Sequence, residues 1–279
     1  MKFAFSYLVS ALVVLANKVF LVKAIRYGAL DEDAHPYVGL MVALDASGKD
    51  MYRCSGSFLS SKVFLTAGHC TFKASRVEIW FDADVDAGRP DNGYPFTGDA
   101  GGMPITHLDY DDEGFTNRDV GNNTDVGVVL LDRPYESANG VYATLPSRNQ
   151  LDAFKTNEPG QKYTIVGYGF QYASPVEIEA ARVRMNATVD LIQINDGIAG
   201  DNAMVVSNNA VTGGPCYGDN GGPAFFNDSN GVAGVVSFGS LNQNCAGTGV
   251  YFRMDRASAL DWVLPFLNVQ KTKKPPLKN

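Results

Sequence analysis

The sequence has too few basic residues, and too little clustering of them, to favour nucleic acid as a partner. Its 279 residues include 23 Lys and Arg against 30 Asp and Glu, a formal net charge of −7 with a pI near 5.0. Phosphate binding requires clustered Lys and Arg. Only the C-terminal stretch from Lys271 to Lys274 is basic, and we interpret residues 270–279 as a solvated tail.

An uninterrupted apolar run long enough to cross a membrane is also missing at the N-terminus. Residues 3–16 and 19–22 are apolar, but Lys18 separates them before the run reaches the roughly 20 residues that a spanning helix needs. We therefore interpret residues 1–24 as a secretory signal peptide, with cleavage after Ala16 or after Ala24. The mature protein is expected to be secreted and to have no membrane partner.

Cysteines are few, and all four are expected to be oxidised in an exported chain. They are Cys54, Cys70, Cys216 and Cys245. Three connectivities are possible. Nearest-neighbour pairing would join Cys54 to Cys70 and Cys216 to Cys245.

Internal repeats and low-complexity segments are absent, and short runs rich in Val, Ile, Phe and Tyr recur between Gly, Asn and Asp clusters. Such spacing predicts an all-β sandwich or barrel. The predicted strands are Tyr37 to Leu44, Gly56 to Leu59, Val63 to Thr66, Val77 to Phe81, Val126 to Leu131, Tyr163 to Tyr168, Gly234 to Phe238 and Val250 to Met254. Only Ala257 to Val269 has helical spacing, with Leu260, Val263, Leu264 and Leu267 on one face.

An acidic, Gly-rich insertion is predicted between Asp82 and Asn123. Asp82, Asp84 and Asp86 alternate as calcium ligands can, but a helix-loop-helix calcium site needs Gly at its sixth position and Glu at its twelfth. Those positions hold Ala87 and Gly93. We therefore favour a solvated surface loop over a calcium site, and we expect neither a metal nor a cofactor.

Two segments carry residues suited to acyl-transfer chemistry. His69 follows an apolar strand within Thr66-Ala67-Gly68-His69-Cys70, and Asp125 precedes the apolar run Val126 to Leu131. A general base needs an imidazole, and a buried carboxylate beside it fixes the imidazole tautomer. Asp119 is a weaker candidate for the carboxylate because no such strand follows it.

These segments, with Gly218-Asp219-Asn220-Gly221-Gly222-Pro223, resemble the trypsin-like, chymotrypsin-fold serine proteases of the S1 family over roughly residues 25–269. The resemblance includes both cysteine spacings. It implies two antiparallel six-stranded β-barrels with a C-terminal α-helix, and we place the seam between the barrels near residues 131–160, where Pro134, Pro146 and Pro159 lie in a polar region.

The resemblance also assigns site residues. His69 takes the position of the base, Asp125 that of its orienting carboxylate, and Asn220 that of the nucleophilic serine. The N–H groups of Gly218 and Asn220 would form the oxyanion hole. Ile25-Arg26-Tyr27-Gly28 resembles the family's mature N-terminus, so cleavage after Ala24 would release Ile25 to pair with Asp219.

The substrate pocket implied by the family has Gly214 at its floor, Gly239 and Gly249 at its walls, and Ser237 and Phe238 on the strand lining the cleft. Phe238 replaces the family's usual Trp. An open, uncharged pocket of this kind suits a bulky apolar or aromatic side chain. It differs from trypsin, because nothing at Gly214 would pair with Lys or Arg.

Asn220 has no ionisable proton that His69 could remove to create a nucleophile. Succinimide formation at Asn220-Gly221 would yield Asp or isoAsp, and neither is a serine-type nucleophile. We therefore expect a secreted, inactive protease homologue, a monomer that binds a peptide, an inhibitor or a partner protein. The alternative is an active secreted endopeptidase of apolar or aromatic preference, represented here by an Asn220 variant. Three sequons, at Asn122, Asn186 and Asn227, would carry glycans in a eukaryotic host.

Overall fold

The computed structural model describes residues 25–113, 123–154, 160–173, 178–196, 200–227, 229–239 and 245–268. The predicted signal peptide, the basic tail, Asp119 and the sequon at Asn122 lie outside these residues. Within the described part of the chain, no helix is both long enough and apolar enough to cross a membrane.

The first barrel is a closed sheet of six antiparallel strands in the order β2-β3-β4-β7-β6-β5. Its strands are β2 (Val38–Leu44), β3 (Asp50–Ser60), β4 (Val63–Thr66), β5 (Arg76–Trp80), β6 (Ala100–Thr106) and β7 (Gly127–Leu131). Every residue of β2 and β4 is buried, as their continuous apolar runs predict.

The second barrel also closes through six strands, β8-β11-β12-β15-β14-β13, with β13 and β11 both paired to β8. These are β8 (Lys162–Gly167), β11 (Met185–Asp196), β12 (Gly200–Asn208), β13 (Pro223–Phe226), β14 (Val232–Gly239) and β15 (Gly247–Arg253). The short β1 (Ala29–Leu30) pairs with β11. A separate hairpin joins β9 (Tyr172–Ala173) to β10 (Ile178–Glu179). The predicted fold class is confirmed.

A helical turn and a C-terminal helix lie outside the sheets. A 3₁₀ turn spans Gln150–Ala153, and the C-terminal helix α1 spans Ala257–Asn268. Helix α1 buries Leu260 and Val263, as its spacing predicts. The prediction for Leu264 is wrong, because this side chain is exposed.

The prediction that the whole insertion after Asp82 is a surface loop is also wrong. Strand β6 lies inside it and pairs with both β5 and β7. Its sequence, AGGMPIT, shows no strand pattern because glycines replace apolar residues where the backbones approach closely. A Cβ at Gly102 would lie 2.2 Å from the Leu130 carbonyl oxygen.

Candidate active site

The antiparallel pairing of β4 with β7 brings the proposed base and its carboxylate together. Thr66, the last residue of β4, lies opposite Gly127, the first residue of β7. His69 follows β4 by three residues and Asp125 precedes β7 by two. Both therefore emerge at the same end of the strand pair, although 56 residues separate them along the chain.

Asp125 is fully buried and receives hydrogen bonds from two sides. The backbone N–H of His69 donates to its Oδ1 at 2.8 Å, and the His69 Nδ1 lies 2.9 Å from its Oδ2. The Ser237 hydroxyl on β14 donates to the same Oδ2 at 2.5 Å. These contacts fix the imidazole orientation and place the proton on Nδ1, as a general base requires.

Gly68 makes this close approach possible. A Cβ at this position would lie 3.1 Å from Asp125 Oδ1 and 3.1 Å from the Tyr110 ring. Since real Cβ contacts are rarely so short, a larger residue would push the carboxylate away from His69. The disulfide Cys54–Cys70 ties the same turn to β3.

Both predicted disulfides are present, as Cys54–Cys70 and Cys216–Cys245. The first places two sulfur atoms near the His69 ring, with Cys70 Sγ 3.5 Å from Nε2. Sulfurs in a disulfide cannot supply the thiolates that a metal ion would bind. This cluster therefore lacks the donor set of a metal centre.

The turn that carries Asn220 is fixed by its backbone. Gly218 and Gly221 have φ angles of 91° and 76°, in the left-handed region that favours glycine. The Asn220 carbonyl accepts a hydrogen bond from the Ser55 N–H at 2.8 Å. A Cβ at Gly221 would lie 2.0 Å from the Thr66 hydroxyl oxygen, so this backbone lies directly against the end of β4.

Ser55 links this turn to the first barrel, and sequence reasoning did not identify it. Its hydroxyl donates to the Gly218 carbonyl at 3.0 Å and accepts from the Tyr168 N–H at 3.0 Å. Within the described residues, the N–H groups of Gly218 and Asn220 have no hydrogen-bond partner. These two groups are the donors expected of an oxyanion hole.

Asp219 is buried, and burial raises the pKa of its carboxyl to about 7. Two backbone donors oppose that shift by stabilising the ionised form, Gly169 N–H to Oδ1 and Cys216 N–H to Oδ2, each at 2.8 Å. The positive charge of Arg53 acts in the same direction. While residue 24 is attached, the Ile25 nitrogen belongs to a peptide bond and supplies no ammonium group to Asp219.

Ile25 is only 1% exposed and packs in the core of the second barrel, with Met185 and Ala187. Its neighbour Arg26 accepts a hydrogen bond at its carbonyl from Gly214 N–H, at 3.1 Å. The segment that would form the mature N-terminus therefore already lies beside the predicted pocket floor. The ion pair between Ile25 and Asp219 stays a prediction.

The predicted pocket residues lie on adjacent segments. Gly239 on β14 pairs with Gly249 on β15, and a Cβ at Gly249 would lie 2.4 Å from the Pro215 ring. Gly214 is covered by the side chain of Asn208, an arrangement that the sequence does not reveal. Phe238 is half-buried on β14. Ser237, predicted as a pocket residue, directs its hydroxyl to Asp125.

Two closed barrels with a His–Asp pair at the end of β4 and β7, and a glycine-rich turn against β4, define the architecture of a chymotrypsin-like serine protease. The trypsin family model matches residues 30–263. The chain belongs to the trypsin family.

Individual relatives are similar at low identity over most of the chain. Collagenase from Hypoderma lineatum is 26% identical over 255 residues, covering 86% of this chain and 87% of the relative. CLIP domain-containing serine protease B10 from Anopheles gambiae is 26% identical over 260 residues, covering 85% and 67%. A solved structure of HL collagenase matches with a TM-score of 0.67 and 20% identity, covering 88% of this chain and 99% of that one.

Proposed function

We propose that this protein is a secreted, catalytically inactive member of the trypsin family that acts as a monomer by binding a peptide, an inhibitor or a partner protein in its cleft. The observation that carries the proposal is Asn220 at the nucleophile position. A carboxamide nitrogen is delocalised into its carbonyl and is not a nucleophile toward an acyl group. In a convergent protease, loss of the nucleophile lowers turnover about 10⁶-fold, near 8 kcal/mol of transition-state stabilisation.

Binding does not need the missing hydroxyl. The Asn220 carbonyl is held by Ser55, and the N–H groups of Gly218 and Asn220 remain without partners among the described residues. Such donors bind the carbonyl oxygen of a peptide whether or not a nucleophile attacks it. This supports a cleft that engages a peptide without cutting it.

The second candidate is an active secreted endopeptidase for which Asn220 is a variant residue. The observation that favours it is the intact network at Asp125, which receives the His69 ring at 2.9 Å and the Ser237 hydroxyl at 2.5 Å. In a serine protease, a buried carboxylate with this geometry orients the imidazole that accepts a proton from the nucleophile.

Two assays separate the candidates. The purified chain is incubated with a fluorophosphonate probe and with casein, beside Asn220→Ser and the double variant His69→Ala/Asn220→Ser. The inactive-homologue proposal predicts no labelling and no turnover for the chain with Asn220. Stoichiometric labelling or casein turnover would refute it. Labelling of Asn220→Ser, but not of the double variant, would show that the site lacks only the hydroxyl. An unlabelled Asn220→Ser would refute the second candidate, in which Asn220 alone removes the activity.

Secretion is supported by two disulfides in a small trypsin-family chain. It is tested by expression with residues 1–24 in a secretory host, followed by sequencing of the mature N-terminus. A first residue of Ile25 would support processing after Ala24. Retention of the full chain inside the cell would count against export.

A further inference from the structure

The space next to Gly214, the predicted floor of the pocket, is filled by another side chain. A Cβ built at this position would lie 2.2 Å from Cγ and 2.3 Å from Oδ1 of Asn208, at the end of β12. The Asn208 side chain therefore occupies the space into which a side chain at position 214 would project. The polar side chain nearest to the predicted pocket floor is therefore that of Asn208 on β12.

The side-chain amide of Asn208 has a hydrogen-bond partner at its nitrogen but, among the described residues, none at its oxygen. Its Nδ2 donates to the Pro215 carbonyl at 2.8 Å, which fixes the plane of the amide. The residue is fully buried, and its Oδ1 has no hydrogen-bond partner among the described residues. A buried acceptor without a donor is costly, and a ligand that supplies the donor gains correspondingly.

The strand that carries the predicted wall residue Gly249 holds a second buried polar atom without a partner among the described residues. Tyr251 on β15 is fully buried, and its hydroxyl has no partner among the described residues. Its ring lies 3.5 Å from the position of a Cβ at Gly249, and the Pro215 ring lies 2.4 Å from that position. Pro215 thus adjoins both Asn208 and the wall residue Gly249.

We propose that Asn208 is the specificity-determining residue of the cleft, and that the pocket selects a neutral side chain whose tip donates a hydrogen bond to Asn208 Oδ1, such as a carboxamide or a phenol. The proposal rests on the proposed peptide-binding function of the same cleft. It replaces the apolar preference that Gly214 alone predicts.

A cationic tip is disfavoured because the floor offers it no carboxylate. Position 214 is glycine, and both oxygens of Asp219 are engaged by backbone N–H groups. A buried cation without an anionic partner is strongly destabilised. A neutral donor satisfies Oδ1 without this penalty.

The first test measures binding of fluorescein-labelled Ala-Ala-Pro-X peptides by fluorescence polarisation, with X as Tyr or Phe and as Gln or Met. Each pair has nearly the same shape and differs in the donor. We expect the peptide with Tyr to bind about tenfold more tightly than the one with Phe, and the peptide with Gln about tenfold more tightly than the one with Met. Asn208→Leu should abolish both preferences. Equal affinities within each pair, or preferences that survive in Asn208→Leu, would overturn the proposal.

A second test remains valid if Asn208→Leu folds poorly, and it uses the steric relation between the two positions. In Asn208→Gly/Gly214→Asp the space is vacated and an anion is placed at the floor, so peptides with X as Lys or Arg should bind at least tenfold more tightly than to the natural chain. Gly214→Asp alone should gain nothing, because Asn208 occupies the space. Equal gains in the single and double variants would overturn the assignment of Asn208.

Peptides that bind without discrimination refute this inference alone, whereas no binding of any peptide refutes it together with the proposed function.

Discussion

Asp219 provides the most quantitative test of the structure, because a buried carboxyl with a raised pKa makes stability depend on pH in a definite direction. The pKa is about 7 in the folded chain, against 3.8 for an unperturbed Asp. Between these values the unfolded chain has lost the proton and the folded chain retains it. The unfolded state then binds fewer protons, so the free energy of unfolding falls as the pH rises through this window.

The magnitude follows from the size of the shift. Each pKa unit corresponds to about 1.4 kcal/mol, so a shift of roughly three units removes about 4 kcal/mol between pH 4 and pH 7. Asp219→Asn deletes the ionisation. Its loss or gain of hydrogen bonds with Gly169 and Cys216 changes the level of stability, but that change does not depend on pH. The slope is therefore the diagnostic quantity.

The assay is urea unfolding, followed by Trp80 and Trp262 fluorescence between pH 4.5 and 8, on the chain with residues before Ile25 attached. The stability difference between natural chain and Asp219→Asn should fall by about 1.4 kcal/mol per pH unit from pH 5 to 6.5. Asp50→Asn, at an exposed position of β3, serves as the control. Parallel curves for the natural chain and Asp219→Asn would refute the assignment of a buried, protonated Asp219.

The same assay on a chain that begins at Ile25 tests the proposed ion pair. A free α-ammonium beside Asp219 would lower the pKa of the carboxyl, and the processed chain would then be more stable than the unprocessed one near pH 7. Breaking a buried pair of this kind typically costs about 3 to 5 kcal/mol. Identical pH profiles for the two forms would contradict the pairing.

Three further predictions concern single side chains. Ser237→Ala removes a donor from the buried carboxylate of Asp125 and should lower the free energy of unfolding by about 1.5 to 3 kcal/mol at pH 7; a change below about 0.5 kcal/mol would contradict a structural use of this bond. Ser55→Ala leaves the Gly218 carbonyl and the Tyr168 N–H without their partner and should lower it by about 1 to 3 kcal/mol, whereas the exposed Ser47→Ala should change it by less than about 0.5 kcal/mol. In a eukaryotic secretory host, a glycan should be found at Asn227, which is exposed, and not at Asn186, whose Nδ2 donates to Asp31 at 2.9 Å. Mass spectrometry of Asn227→Gln and Asn186→Gln measures which substitution removes the glycan. Loss of a glycan in Asn186→Gln alone would refute the reasoning.

The sequence predicts those parts of the site that lie in contiguous, chemically specific segments. His69 is recognisable because it follows an apolar strand within a short motif, and Asp125 because it precedes one. For the cysteines the sequence leaves three connectivities open, and the structure has the nearest-neighbour one. Ser55 and Ser237 were not assigned their contacts, because a serine on a strand has no local signature and its partner is set by barrel closure.

The fold shows the same division. Most strands of the first barrel coincide with apolar runs, but β6 is concealed by glycines and Pro104 within an acidic segment. Strand β11 was also missed, although Met185, Ala187, Val189 and Leu191 alternate as buried residues. Its signal is an alternation, which is less visible than a continuous run. The position of the Asn208 side chain over Gly214 could not be predicted either, because it depends on how β12 meets the segment before Cys216.

The backbone of the Asn220 turn explains how one substitution can remove catalysis and leave a binding site. The turn is held by Ser55 N–H to the Asn220 carbonyl, by Gly221 N–H to the Val236 carbonyl and by Gly222 N–H to the Asp219 carbonyl, each at 2.8 Å. None of these bonds uses the side chain at position 220. The directions of the Gly218 and Asn220 N–H groups are therefore set by the barrels, and they are the same for any residue at 220 that fits the turn. Because none of these bonds depends on the nucleophile, the proposed recognition of a peptide is compatible with loss of the chemistry, and under the proposal for Asn208 the residues around it would decide which peptide is bound.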